Sequence, residues 1–204
     1  MEIKLSEMQL GALREVGNIG AGHAATALSQ IVDKTIMITV SSLDIFPVCD
    51  ICKVLNGFNK KTVVVSMNML GDIRGGVLLV LAEKDAFALV DVLQKQELGT
   101  TVKLSDLEES ALKELGSILT FSYLDAIGSL LELSIIPSVP VLASGAIEEV
   151  SGKILEDISK RFETVFCIET EFIETNNKIK GFFLLVPEVN SLSLIIKALG
   201  VADK

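Results

Sequence analysis

Glu15 and Asn18 stand three residues apart, so on a helix a carboxylate and a primary amide project from one face, about one turn apart. The amide offers a hydrogen-bond donor and an acceptor on one rigid group. The pair is set apart by its surroundings. Gly11 and Gly22 fall on the same face, at spacings of 4, 3 and 4 along Gly11, Glu15, Asn18 and Gly22. A solvated helix face is ordinarily Lys, Glu, Gln and Ala, and each interior glycine costs about 1 kcal/mol relative to alanine. Two readings fit. Either the glycines clear room for another macromolecule to come close to Glu15 and Asn18, or they serve helix packing and the polar pair is merely solvated.

The element that positions the pair is predicted as a helix from about Glu7 to near Val32. Ser6 and Gln9 form a capping box at its start. Leu10, Leu13, Gly17, Gly20, Ala24 and Ile31 gather on the nearly opposite side. That stripe is small in its middle, which suits close approach of another backbone.

The partner for that stripe is supplied by an internal repeat. The run Ala12-Leu13-Arg14-Glu15-Val16-Gly17-Asn18-Ile19 returns as Ala111-Leu112-Lys113-Glu114-Leu115-Gly116-Ser117-Ile118, at an offset of 114 − 15 = 99. Ser6 and Gln9 return as Ser105 and Glu108, a second capping box. Ile36 and Val40 match Ile135 and Val139 in runs that read as strands. Farther on, Ile73 to Val80 matches Ile179 to Val186 at an offset of 181 − 75 = 106. Val63 to Met69 and Thr164 to Glu171 read as the neighbouring strands, and helices are predicted near Lys84 to Gln94 and Ser191 to Leu199. Each half is therefore helix, strand, strand pair, helix. The expected fold is α/β (α+β): a pseudo-two-fold tandem duplication with a shared, largely antiparallel sheet and two long helices. Repeat one is expected over residues 1–98 and repeat two over 99–204, with the joint at 96–104.

Composition narrows the function. Half of the residues are hydrophobic and 5% aromatic, so the core is aliphatic. No run offers the roughly 18 consecutive apolar residues of a spanning helix. The N-terminus has no apolar h-region. A cytoplasmic protein without membrane insertion is expected. The formal net charge of −9 argues against nucleic-acid binding and favours a partner that presents lysine or arginine. Cys49 and Cys52 form a Cys-x-x-Cys pair in an extended context, where positions three apart point to opposite faces. Only Cys167 and His23 remain as soft ligands, so no metal site is expected, and His23 reads as structural.

The run from Glu15 to Ala27 closely resembles the signature helix of the CheC, CheX and FliY chemotaxis phosphatases. Because CheC-type proteins contain two tandem copies of this unit, the resemblance extends over the whole chain and is nearest to CheC. It implies a phosphatase acting on the aspartyl-phosphate of a CheY-like response regulator, with Asn18 orienting the attacking water and Glu15 docking to the regulator's lysine. No cofactor of its own is implied, and Mg2+ is expected on the regulator. The family pattern asks for Asp or Ser at position 11 and Pro at position 41, where this chain has Gly11 and Ser41. In the second copy Ser110, Glu114 and Pro140 fit the pattern, but Ser117 replaces the asparagine and Phe121 stands in place of Gly22. The pair Glu114 and Ser117 is therefore expected to be a degenerate site. The alternative is a non-catalytic module that sequesters a response regulator or a CheD-type receptor deamidase. A flagellar-switch component like FliY is disfavoured, since the two repeats account for the chain.

Overall fold

Both capping boxes form, and each starts a helix of 26 residues. The computed structural model describes residues 6–51, 61–146, 164–174 and 177–198. In chain order the elements are α1 (Glu7–Val32), β1 (Ile36–Pro47), a 3-10 turn (Val48–Asp50), β2 (Lys61–Gly71), β3 (Gly75–Ala82), α2 (Glu83–Leu93), α3 (Asp106–Leu131), β4 (Ile135–Pro137), β5 (Val141–Ala146), β6 (Thr164–Glu174), β7 (Asn177–Pro187) and α4 (Val189–Ala198). At the start of α1 the Ser6 N–H donates to Gln9 Oε1 at 2.6 Å. At the start of α3 the Ser105 N–H donates to Glu108 Oε2 at 2.8 Å. Both helices also end alike, on left-handed residues Asp33 and Glu132, again 132 − 33 = 99 apart.

The strands form one antiparallel sheet in the order β1-β6-β7-β3-β2, with β4 and β5 both on the far side of β2. Each half gives its first strand to the other: β1 pairs with β6, and β4 and β5 pair with β2. At the seam Leu78 lies opposite Leu184, its own repeat equivalent (184 − 78 = 106). The pairs Gly75–Pro187 and Leu81–Gly181 are related about that point, so the pseudo-two-fold runs through the two leucines. Neither half's strands form a continuous sheet without the other.

The core lies on both faces of this sheet. Every residue of β3 is buried, as a central strand requires. Val77, Leu79 and Leu81 face the helices, while Leu78 and Val80 join Val64, Val165, Leu184 and Val186 on the other side. On the helix side α1 crosses α3 at Gly20. A Cβ there would stand 2.9 Å from the Tyr123 Cα and 2.8 Å from its Cδ1. Tyr123 is fully buried and stacks on Phe183 with ring centroids 4.5 Å apart. The small stripe thus does what its composition suggests, and its partner is the repeat-equivalent helix. Ile31 departs from the expectation: it is half exposed, while Leu28 and Val32 are buried instead. In its last turns α1 turns Leu28 and Val32 onto an apolar cavity that Leu89, Val92, Leu115 and Phe172 also line, so its buried side rotates.

The joint between the halves has an anchor that the sequence reading missed. Asp91 at the end of α2 is fully buried. Its carboxylate accepts from the N–H groups of Gly99 (2.7 Å), Thr100 (3.2 Å) and Thr101 (2.9 Å) and from Thr101 Oγ1 (2.6 Å). Asp91→Ala is expected to destabilise the chain by about 2–4 kcal/mol, since several charge-assisted bonds disappear together. Urea unfolding measures this, and a loss below about 0.5 kcal/mol would show that the joint does not depend on the carboxylate.

Candidate functional site

The helix crossing at Gly20 turns the opposite face of α1 outward. Gly11, Glu15, Asn18 and Gly22 are all exposed. Among the described residues, neither the Glu15 carboxylate nor the Asn18 amide has a hydrogen-bond or ion-pair partner. The two glycines beside them are not packing residues either. Among the described residues, a Cβ at Gly11 or at Gly22 would meet nothing within 4 Å, whereas at Gly20 it would collide with the Tyr123 backbone. Of the two readings, the one that assigns these two glycines to packing inside the chain is therefore removed.

This contrast makes a paired prediction. Gly22→Ala and Gly11→Ala are each expected to raise stability by about 0.5–1 kcal/mol, because helix propensity is gained with no clash. Gly20→Ala, two residues before Gly22, is expected to lose about 1–3 kcal/mol from overpacking against a backbone atom that cannot yield. Thermal melts of the three variants decide it; a destabilised Gly22→Ala would mean that the glycine is needed by the fold.

Beneath the pair, Gly17 faces Val40 of β1, with 3.7 Å from its would-be Cβ to the Val40 Cγ2. The next residue, Ser41, is the extra residue of a β-bulge: Val40 pairs with Thr170 and Ser42 with Glu169. In the second half the register slips at the corresponding place. Met69 pairs with Pro137 and Ser66 with Val141, so residues 138–140 oppose only Met67 and Asn68. The pattern's proline position, Ser41 or Pro140 (140 − 41 = 99), is thus a bulge or strand break in both halves. Proline suits a bulge because its missing N–H leaves no ladder bond unmade. Ser41 keeps the bulge without the proline, so this departure leaves the strand under α1 in place.

The second helix presents a different face. Glu114 is exposed at the place of Glu15, but Ser117 is half-buried, and its hydroxyl donates to the Lys113 carbonyl at 3.0 Å. Its hydroxyl hydrogen is thus bonded to its own helix. Phe121 is 62% exposed where the first helix has open space at Gly22. Ser110 is exposed as well.

The remaining candidates fall away from this face. His23 is exposed on α1 with no partner among the described residues, so it is not the structural residue expected. Cys49 is exposed, and Cys52 lies outside the described residues. Cys167 is buried on the far side of the sheet, where burial pushes its thiol up to about 12. No helix among the described residues is long and apolar enough to cross a membrane.

The family model described as the CheC-like family matches residues 8–40, which comprise nearly all of α1 and the start of β1 up to the bulge. Across 97% of both chains, the sequence is 28% identical to a Bacillus subtilis (strain 168) protein named CheY-P phosphatase CheC. The chain resembles the CheC-like family. It is also 32% identical over 111 residues to the flagellar motor switch phosphatase FliY of the same organism, covering 54% of this chain and 29% of that one. The crystal structure of Thermotoga maritima FliY superposes with a TM-score of 0.77 at 23% identity, over 97% of this chain and 98% of that one. The FliM middle domain from H. pylori follows the same fold, with a TM-score of 0.72 at 16% identity, over 95% and 99% of the two chains.

Proposed function

We propose that this CheC-like chain hydrolyses the aspartyl-phosphate of a CheY-like response regulator, with the chemistry carried by α1 alone. The observation that carries the reading is the exposed Glu15–Asn18 pair, unpartnered among the described residues, between two glycines that no contact among those residues requires. The name and 28% identity of the B. subtilis CheC relative support the substrate class. In the proposed step, the Asn18 amide enters the regulator's site and holds a water in line with the scissile bond. The water oxygen attacks phosphorus as the P–O bond to the aspartyl oxygen breaks. The regulator's carboxylate leaves, the water's proton passes to the phosphate, and inorganic phosphate is released. The regulator's own Mg2+ and lysine neutralise charge, so this chain supplies positioning. Glu15 pairs with that lysine and sets the register of α1 against the regulator. On α3 the same position carries a shorter, self-bonded hydroxyl, which supports docking or silence there and not turnover.

The test is phosphate release from a radiolabelled phospho-regulator with a catalytic amount of the chain. Several turnovers per chain above the regulator's spontaneous rate are expected, with Glu15→Ala raising KM and lowering kcat. Binding of the regulator without acceleration would overturn the catalytic reading in favour of sequestration. Capture of a CheD-type deamidase with no regulator binding would move the function to that partner.

A further inference from the structure

The exposed face of α1 carries two apolar side chains that do nothing for the fold. Met8 is 82% exposed and Ile19 is 44% exposed, and neither packs against the core cluster. They lie eleven residues apart, about 16 Å along the helix, and the Glu15–Asn18 pair sits between them. The second helix repeats the arrangement in part, at the same offset of 99. Leu107 takes the place of Met8 and is 67% exposed, whereas Ile118, in the place of Ile19, is half-buried and packs against the core. A solvated face gains nothing from an exposed apolar group, yet both halves hold one at the first place while the neighbouring residues of the site differ.

We infer that Met8 and Ile19 are docking residues that seat the response regulator on α1, each against apolar surface bordering the regulator's acidic pocket. The inference rests on the phosphatase reading and adds what gives that encounter its affinity. Glu15 and the overall charge of −9 suit the regulator's lysine. A charge pair at the rim steers the encounter more than it tightens it, so buried apolar anchors must hold the complex. The glycines fit this division. Gly11, between the anchors, and Gly22, one turn past Ile19, leave the helix backbone bare, so the regulator can close down until the Asn18 amide reaches its phosphoryl group.

The test measures kcat and KM for phosphate release by wild type, Met8→Ser, Ile19→Ser and the double variant. Val102→Ser, at an exposed apolar residue in the joint between the halves, is the control. Each α1 substitution is expected to raise KM about tenfold with kcat within about twofold, as loss of one buried apolar anchor predicts. Val102→Ser is expected to change neither. An unchanged KM in the active double variant would overturn the inference, and so would a fall in kcat at constant KM. Affinity for the regulator loaded with beryllofluoride, a phosphoryl analogue, is measured in parallel. If wild type binds the analogue without turnover, the catalytic reading fails, and the same variants still test docking through the dissociation constant. If wild type does not bind it, both fail.

Discussion

Asn18→Ala is expected to slow phosphate release from a phosphorylated CheY-like regulator by at least about 100-fold, the scale of removing one preorganised donor from a reacting site. The folded chain is expected to be no less stable. Asn18 is exposed and has no partner among the described residues, and alanine is the better helix former, so thermal unfolding should stay in place or rise slightly. The combination is diagnostic. A loss of rate with a lowered melting temperature would point to a damaged helix, and a retained rate would remove Asn18 from the chemistry. Because the amide contributes positioning and not charge, Asn18→Asp should not rescue the rate: it keeps the size but brings a second negative charge toward a phosphoryl group.

Gly22→Phe is expected to lower kcat/KM by about 100-fold, since displacements of about 1 Å at a positioning site already have effects of that order. The substitution brings the second helix's own residue, Phe121, to the first. The backbone at Gly22 has open space around its missing Cβ, so the ring has no clash at its base and stability should not fall. What changes is the distance of approach, because a ring standing off the helix holds the regulator away from Asn18. The reverse exchange follows the same logic. Ser117→Asn alone is expected to restore little activity on α3, because Phe121 still projects there. Ser117→Asn with Phe121→Gly is expected to add measurable turnover to an Asn18→Ala background. Full activity of Gly22→Phe would mean that the regulator does not approach over that turn.

The parts legible from sequence were those set by local chemistry repeated twice. Two capping boxes placed the starts of α1 and α3 at matched residues, and the small stripe around Gly20 implied the helix crossing that Tyr123 completes. The exposure of Glu15 and Asn18 follows from that crossing. Long-range pairing was less legible. The exchange of first strands between halves depends on which edge each strand meets, and no local pattern records it. β1 runs on to Pro47 past Ser41 and Ser42 because β6 pairs with it across the bulge, where the apolar alternation of Ile36, Ile38 and Val40 slips by one residue before Leu43 and Ile45 resume it. The repeat did contain a clue to the bulge, in the equivalence of Ser41 with Pro140, a residue that cannot donate to a ladder. β5 was missed because Ser144 and Gly145 are poor strand formers on their own. The anchoring of the joint by Asp91 was missed because a single acidic residue in a helix reads as solvated until its neighbours are known. His23 and Ile31 were misjudged for a related reason: residue type and helical angle do not reveal which element packs over a given turn.

The central claim, that one helix face of a duplicated fold does the chemistry, is tested most directly by initial rates of phosphate release from one phosphorylated CheY-like regulator. Wild type, Asn18→Ala and Glu114→Ala are compared side by side. The account predicts acceleration by wild type, its loss in Asn18→Ala and its near-complete retention in Glu114→Ala. Retention in Asn18→Ala together with loss in Glu114→Ala would contradict it and move the active face to α3.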